Sequence, residues 1–143
     1  MSADANKQIV IDMWNSFSSR DAARIEPFFS DDAVWIAPQD NATAKFLGER
    51  SGMIGSAQIV RFILEQFPKV FLRDVKLDFK GVYGDDETVV VELVLSATVS
   101  NGRPYKNDYC FIHILRDGKV VEIREFMDTY NGHRMIYGSE ATI

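Results

Sequence analysis

The hydrophobic period of this chain changes at Pro68, and that change restricts the fold more than any other feature. Up to Phe67 the apolar residues recur at helical spacing. Val10, Met13, Trp14 and Phe17 define a helix over 6–19, and Ile25, Phe28 and Phe29 a short one capped by Asp21. Ile59, Phe62, Ile63 and Phe67 define a third over 56–67, with Pro68 following its end. Beyond Pro68 the period is two. "VFLRDVKLDFKGVYG" sets Val75, Leu77 and Phe79 against Lys76, Asp78 and Lys80, and "TVVVELVLSATV", "PYKNDYCFIHIL" and "VVEIREFMDT" follow as three more strands. "SNGR" and "RDGK" are the turns between them, with Asn101-Gly102 expected at the two positions that need positive φ. One short strand, "AVWIAP", lies among the helices. Residues 39–52 are polar and aperiodic and are expected as a loop; the tail from Tyr130 to Ile143 is less regular. Helices grouped ahead of a strand meander predict an α+β fold, not alternating βαβ units.

At 143 residues the chain suits one domain, over 1–143, large enough to bury a core without disulfides or metals. Cys110 is the only cysteine, so no internal disulfide is possible and no cysteine cluster suggests a structural zinc site. The net charge is -5 and no Lys/Arg cluster offsets it, which argues against nucleic acid and anionic membranes as partners. No apolar run reaches a membrane span, and "MSADANKQ" lacks a signal pattern, so a cytoplasmic location is expected.

The last strand poses the functional question. Val121, Ile123 and Met127 form an apolar stripe, and Glu125 stands inside it. A two-residue Asn101-Gly102 turn sets Glu92 opposite Phe111 and Val90 opposite His113. The "RDGK" turn, with one bulge residue, sets Phe111 opposite Glu125 and His113 opposite Ile123. Glu92, Phe111 and Glu125 then share a row and a face with Asn107, Tyr109 and His113. The other face carries Val89, Val91, Leu93, Leu95, Cys110, Ile112 and Ile114. Both faces are apolar but the helices can cover one. The second is therefore expected against a partner subunit, because an open patch of that size is unusual.

The element order, "FFSDDAVW" after the second helix and "LRDGKVVEIREFMDT" at the end resemble the SnoaL-like, ketosteroid-isomerase-like branch of the NTF2-like superfamily, over roughly residues 6–130. The resemblance implies a conical α+β barrel, with N-terminal helices packed in the concavity of a curved, mainly antiparallel sheet around a deep apolar pocket. It also implies a homodimer through the outer sheet face, here expected to be Val89, Val91, Leu93, Leu95 and Ile112. Site residues transfer only by position. The tyrosine, base and protonated aspartate of ketosteroid isomerases fall at Met13, Ala37 and Phe111. The arginine and aspartate of limonene-epoxide hydrolases fall at Glu92 and Val94, their tyrosine at Trp35 and their last-strand aspartate at Glu125. Only the last acid is retained, as a glutamate.

The strand registers give Glu125, Glu92 and His113 as candidate catalytic groups, and the resemblance supports Glu125 alone among them. A carboxyl in an apolar pocket has its charged form disfavoured, so its pKa rises and it can exchange protons near neutral pH. Two such acids would hold one another partly protonated, and a carboxylate can orient an imidazole. Against this, Glu125 could pair with Arg124 or Arg134, Glu92 could be solvated, and His113 could be a hydrogen-bonded core residue. Tyr109 and Asn107 are candidate orienting donors. Trp35, Trp14, Phe17, Phe62 and Phe111 are candidate pocket wall, equally readable as core. No metal or cofactor is expected, since two acids and one histidine make a poor ligand set. The expected function is cofactor-free acid–base catalysis, isomerase- or cyclase-like, on a small apolar organic molecule. The alternatives are an epoxide-hydrolase-like reaction and a non-catalytic, dimeric binding or accessory protein.

Overall fold

The computed structural model describes residues 2–138. Helix α1 (Ala3–Ser16) starts at Ser2, whose hydroxyl accepts the Ala5 N–H, and runs into a 3-10 turn at Phe17–Ser19. α2 (Ala22–Ile25) is capped by Asp21, as expected. β1 (Phe29–Ile36) follows. The stretch 39–52 is less loop-like than its composition suggests. Asn41 Oδ1 caps a helix, α3 (Ala42–Leu47), which stops at Gly48 with φ +68°; β2 (Gly52–Ile54) then pairs with β1.

α4 (Ser56–Arg61) continues through a π-helical turn at Phe62–Gln66 into α5 (Phe67–Val70), so the helical run passes Pro68 and does not end at it. The long strands follow: β3 (Phe71–Asp85), β4 (Thr88–Val99), β5 (Pro104–Arg116) and β6 (Lys119–Met127). The tail, expected to be irregular, forms α6 (Thr129–Tyr137), with Asp128 Oδ1 accepting the Asn131 N–H.

One curved, unclosed sheet has the order β2-β1-β6-β5-β4-β3, antiparallel except for the β1–β6 pair. Bulges interrupt β3 near Arg73 and at Phe79–Gly81, and β6 at Ile114/Leu115 of its partner; such insertions bend strands and let a sheet wrap. Val10, Met13 and Trp14 of α1 and Ile59, Val60 and Ile63 of the α4 run pack with the inner sheet residues in one core. The α+β architecture, with helices in the concavity, is as the sequence predicts.

The register of one hairpin is not. Val99 donates its N–H to Arg103 O and Gly102 donates to Val99 O, so the β4–β5 connection is three residues long with Gly102 at φ +80°. Val91, not Glu92, stands opposite Phe111, and Val89, not Val90, opposite His113. A one-residue slip moves every side chain of a strand to the other face. Val89, Val91, Leu93 and Leu95 are therefore between 0 and 4% exposed inside the single chain and cannot form an outer dimer face. Glu92 points outward and is exposed. Ile112 does lie on the outer face, in the row with Val90 and Arg124. No described helix is long and apolar enough to cross a membrane.

Candidate functional site

Between the helices and the inner face of the sheet lies a cavity of about 900 Å³. Its inner wall is Trp14, Phe17, Trp35, Phe62, Phe67, Leu93, Leu95, Tyr109 and Phe111; toward solvent it is bounded by exposed polar residues that include Arg20, Glu49, Arg50 and Arg61. The aromatic wall is built across elements. Trp14 of α1 meets Phe111 of β5 at 4.6 Å between ring centroids and Trp35 of β1 at 5.9 Å, and Tyr109 stacks on Phe111 at 5.6 Å. Offset and edge contacts of this kind hold rings in fixed orientations.

Glu125 opens onto this cavity from β6. It pairs with Phe111, and its neighbour Ile123 pairs with both His113 and Trp35, as the β5–β6 turn and the parallel β1–β6 contact require. Trp35 Nε1 donates to Glu125 Oε1 at 2.9 Å. Neither Arg124 nor Arg134 reaches the acid: Arg124 pairs with Glu122 and Arg134 donates to Asn131 Oδ1. No other hydrogen bond or ion pair to the carboxyl exists among the described residues. Burial without a cation pushes its pKa up to about 7, and the Trp35 hydrogen bond offsets only part of that rise.

His113, offered by the sequence as a partner for Glu125, is placed otherwise. It is fully buried, its Nε2 accepts from Trp14 Nε1 at 3.0 Å, and its Nδ1 lies 2.9 Å from Val89 O. With Nε2 accepting, the proton sits on Nδ1, which donates to the carbonyl. Burial lowers its pKa to about 4. A neutral imidazole with both nitrogens engaged holds α1 to the sheet and is not on the cavity wall. Glu92 is absent from the site because of the register described above; its carboxylate lies 3.5 Å from the Tyr83 hydroxyl on the outer surface.

Asn107 is buried behind the wall. Its Nδ2 donates to Tyr105 Oη at 3.1 Å and to Asp128 O at 3.0 Å, tying β5 to the start of α6. Gly132 of α6 sits against this pair, where a Cβ would lie 3.2 Å from Asn107 Nδ2. Tyr105 and Tyr109 share a 2.6 Å hydroxyl contact. Tyr109 thus reaches the cavity while Asn107 supports it from behind. Burial raises the pKa of both phenols, and the Glu125 carboxylate adds to the rise. The wall also includes Gln66, which the sequence did not single out, Phe67, expected only as part of the helix face, and Leu93, expected on the outer face of the sheet. Among the described residues no group of three or more His, Cys, Asp or Glu side chains could hold a metal ion.

A curved, open α+β sheet closed by helices over an apolar cavity is the NTF2-like fold, and solved structures with it superpose on nearly the whole chain. The chain belongs to the SnoaL-like domain family, whose model matches residues 10–123. An NTF2-like protein of unknown function from Burkholderia pseudomallei shares 23% identity, with TM-score 0.81 over 95% of this chain and 98% of that one. TerC, co-crystallised with polyporic acid, shares 22% identity, with TM-score 0.79 over 94% and 99%. A protein from Jannaschia sp. CCS1, provisionally named a SnoaL-like polyketide cyclase, shares 16%, with TM-score 0.76 over 98% and 95%. At these identities the likeness establishes the fold alone. No curated protein sequence gives a significant match.

Proposed function

We propose that the protein is a cofactor-free acid–base catalyst that moves a proton on a small apolar molecule bound in the cavity, with Glu125 as the proton carrier. The observation that carries this reading is a carboxyl group on an aromatic wall, held by Trp35 at 2.9 Å and lacking a cationic partner. A pKa of about 7 keeps both its forms populated at neutral pH, the condition under which one group can take a proton and return it. The chemistry that fits is proton transfer next to a carbonyl. The carboxylate removes a proton from the α-carbon, the C–H pair forms the carbon–carbon double bond, and the carbonyl π pair moves to oxygen. The carboxyl then gives its proton back to a carbon of the enolate, giving an isomer; alternatively the enolate carbon bonds to a second carbonyl carbon of the same molecule, that carbonyl's π pair moves to its oxygen, and the alkoxide takes the proton, giving a cyclised product. Trp35 fixes the carboxyl in one orientation, and the aromatic wall offers an apolar surface against which the substrate can be positioned. Isomerase- and cyclase-like names among the structural neighbours are consistent with this class of reaction.

Deuterium exchange into 2-tetralone, a bicyclic ketone with acidic α-protons, tests it by NMR in D2O. The wild-type protein should speed exchange at C1 above the buffer rate, and Glu125→Gln should return it to that rate while ligand binding persists. Exchange that is equally fast in Glu125→Gln, or no faster than buffer in the wild type, removes Glu125 from the role.

A further inference from the structure

Gln66 is 5% exposed, lines the cavity and has no hydrogen-bonding partner among the described residues. Its amide is not sealed into the core, as Asn6 Oδ1 and Ser30 Oγ are; the space it meets is the cavity. An amide that faces a cavity without a protein partner keeps its hydrogen-bonding capacity for whatever enters that cavity. Its placement has a local cause. Gln66 ends the π-helical turn, in which Phe67 N–H reaches back five residues to Phe62 O. Pro68 has no N–H to offer Leu64 O, and Arg20 Nη2 takes that carbonyl at 3.1 Å. The widened turn lets Phe62, Ile63, Gln66 and Phe67 all line the cavity.

The other buried side-chain N–H donors on the wall are committed, Trp14 Nε1 to His113, Trp35 Nε1 to Glu125 and Asn41 Nδ2 to Pro38 O, and the Tyr109 hydroxyl shares a hydrogen bond with that of Tyr105. We propose that Gln66 is the polar anchor of the cavity, its Nε2–H donating to the carbonyl oxygen of an apolar, ketone-bearing ligand. The choice of a carbonyl rests on the proton-transfer reading above, since that oxygen gathers the enolate charge and gains most from a fixed donor. The hydrogen bond itself needs nothing from Glu125.

The test compares 2-tetralone with tetralin, which has a methylene in place of the carbonyl, by calorimetric titration of the wild type and Gln66→Met. Gln66→Met should weaken 2-tetralone about tenfold and leave tetralin within about twofold, without lowering the melting temperature of the free protein. Equal 2-tetralone affinity in the two proteins overturns the proposal. Equal loss of both ligands, or a lowered melting temperature, marks Gln66 as a packing residue and overturns it too. If neither ligand binds the wild type, the cavity reading and this proposal fall together. If the selective loss of 2-tetralone appears but Glu125→Gln leaves deuterium exchange unchanged, the anchor stands and only the role of Glu125 falls.

Discussion

Glu125→Gln should change the pH dependence of stability in a way the wild type alone conceals. Two groups act with opposite sign, one half-buried at the cavity wall and one fully buried. The Glu125 carboxyl titrates near 7 in the folded chain against an ordinary 4.5. Between those values the unfolded chain has lost the proton and the folded chain keeps it, so stability falls as pH rises. His113 titrates near 4 against an ordinary 6.5. Between those values the unfolded chain gains a proton the folded chain refuses, so stability rises with pH. At 1.36 kcal/mol per pKa unit each effect has a ceiling of about 3 kcal/mol, less for Glu125 because its cavity admits solvent. The two windows nearly coincide and the effects largely cancel. Glu125→Gln retains an oxygen for Trp35 Nε1 and removes only the titration. Urea unfolding from pH 4 to 8 should therefore show the variant gaining on the wild type by up to about 3 kcal/mol as pH rises. Above pH 7 the difference should be constant. A difference independent of pH refutes the reasoning. A wild type that gains on the variant as pH rises would mean an ionised, paired carboxylate.

Further outcomes follow from the placements above. Glu92→Gln should leave stability within about 0.5 kcal/mol and leave 2-tetralone binding unchanged, since the side chain is on the outer surface; a large loss of binding would restore the two-residue turn. Trp14→Phe strands His113 Nε2 and should cost about 1–3 kcal/mol by urea unfolding. Val91→Ala, at a fully buried position, should lower stability by about 1–3 kcal/mol without altering the sedimentation coefficient; a shift in sedimentation with unchanged stability would place Val91 at a subunit contact.

The fold was legible because the switch from helical to alternating period is strong and long. Glu125 was legible because the β5–β6 pairing that sets Phe111 and Ile123 beside it follows from the "RDGK" turn and one bulge. Glu92 was misplaced because "SNGR" looks the same for a two-residue and a three-residue connection. The difference is one positive φ, at Gly102 and not at Asn101, and it reverses the faces of β4. α3 and α6 carried cap signals, Asn41 with Gly48 and Asp128, that were outweighed by polar composition. Gln66 could not be found by periodicity, since it depends on a π-helical turn that leaves no hydrophobic pattern of its own. His133 of α6 is half-buried against Tyr137 at 4.6 Å between ring centroids.

The central claim is an unpaired, desolvated carboxyl at the cavity wall, and NMR titration of carbon-13-labelled carboxyl groups tests it most directly. The Glu125 signal, assigned by its loss in Glu125→Gln, should titrate near 7, and a Trp35→Phe variant, which loses the hydrogen bond to Oε1, should titrate higher still. A midpoint at or below 4.5 would show a solvated or ion-paired carboxylate and would contradict the account.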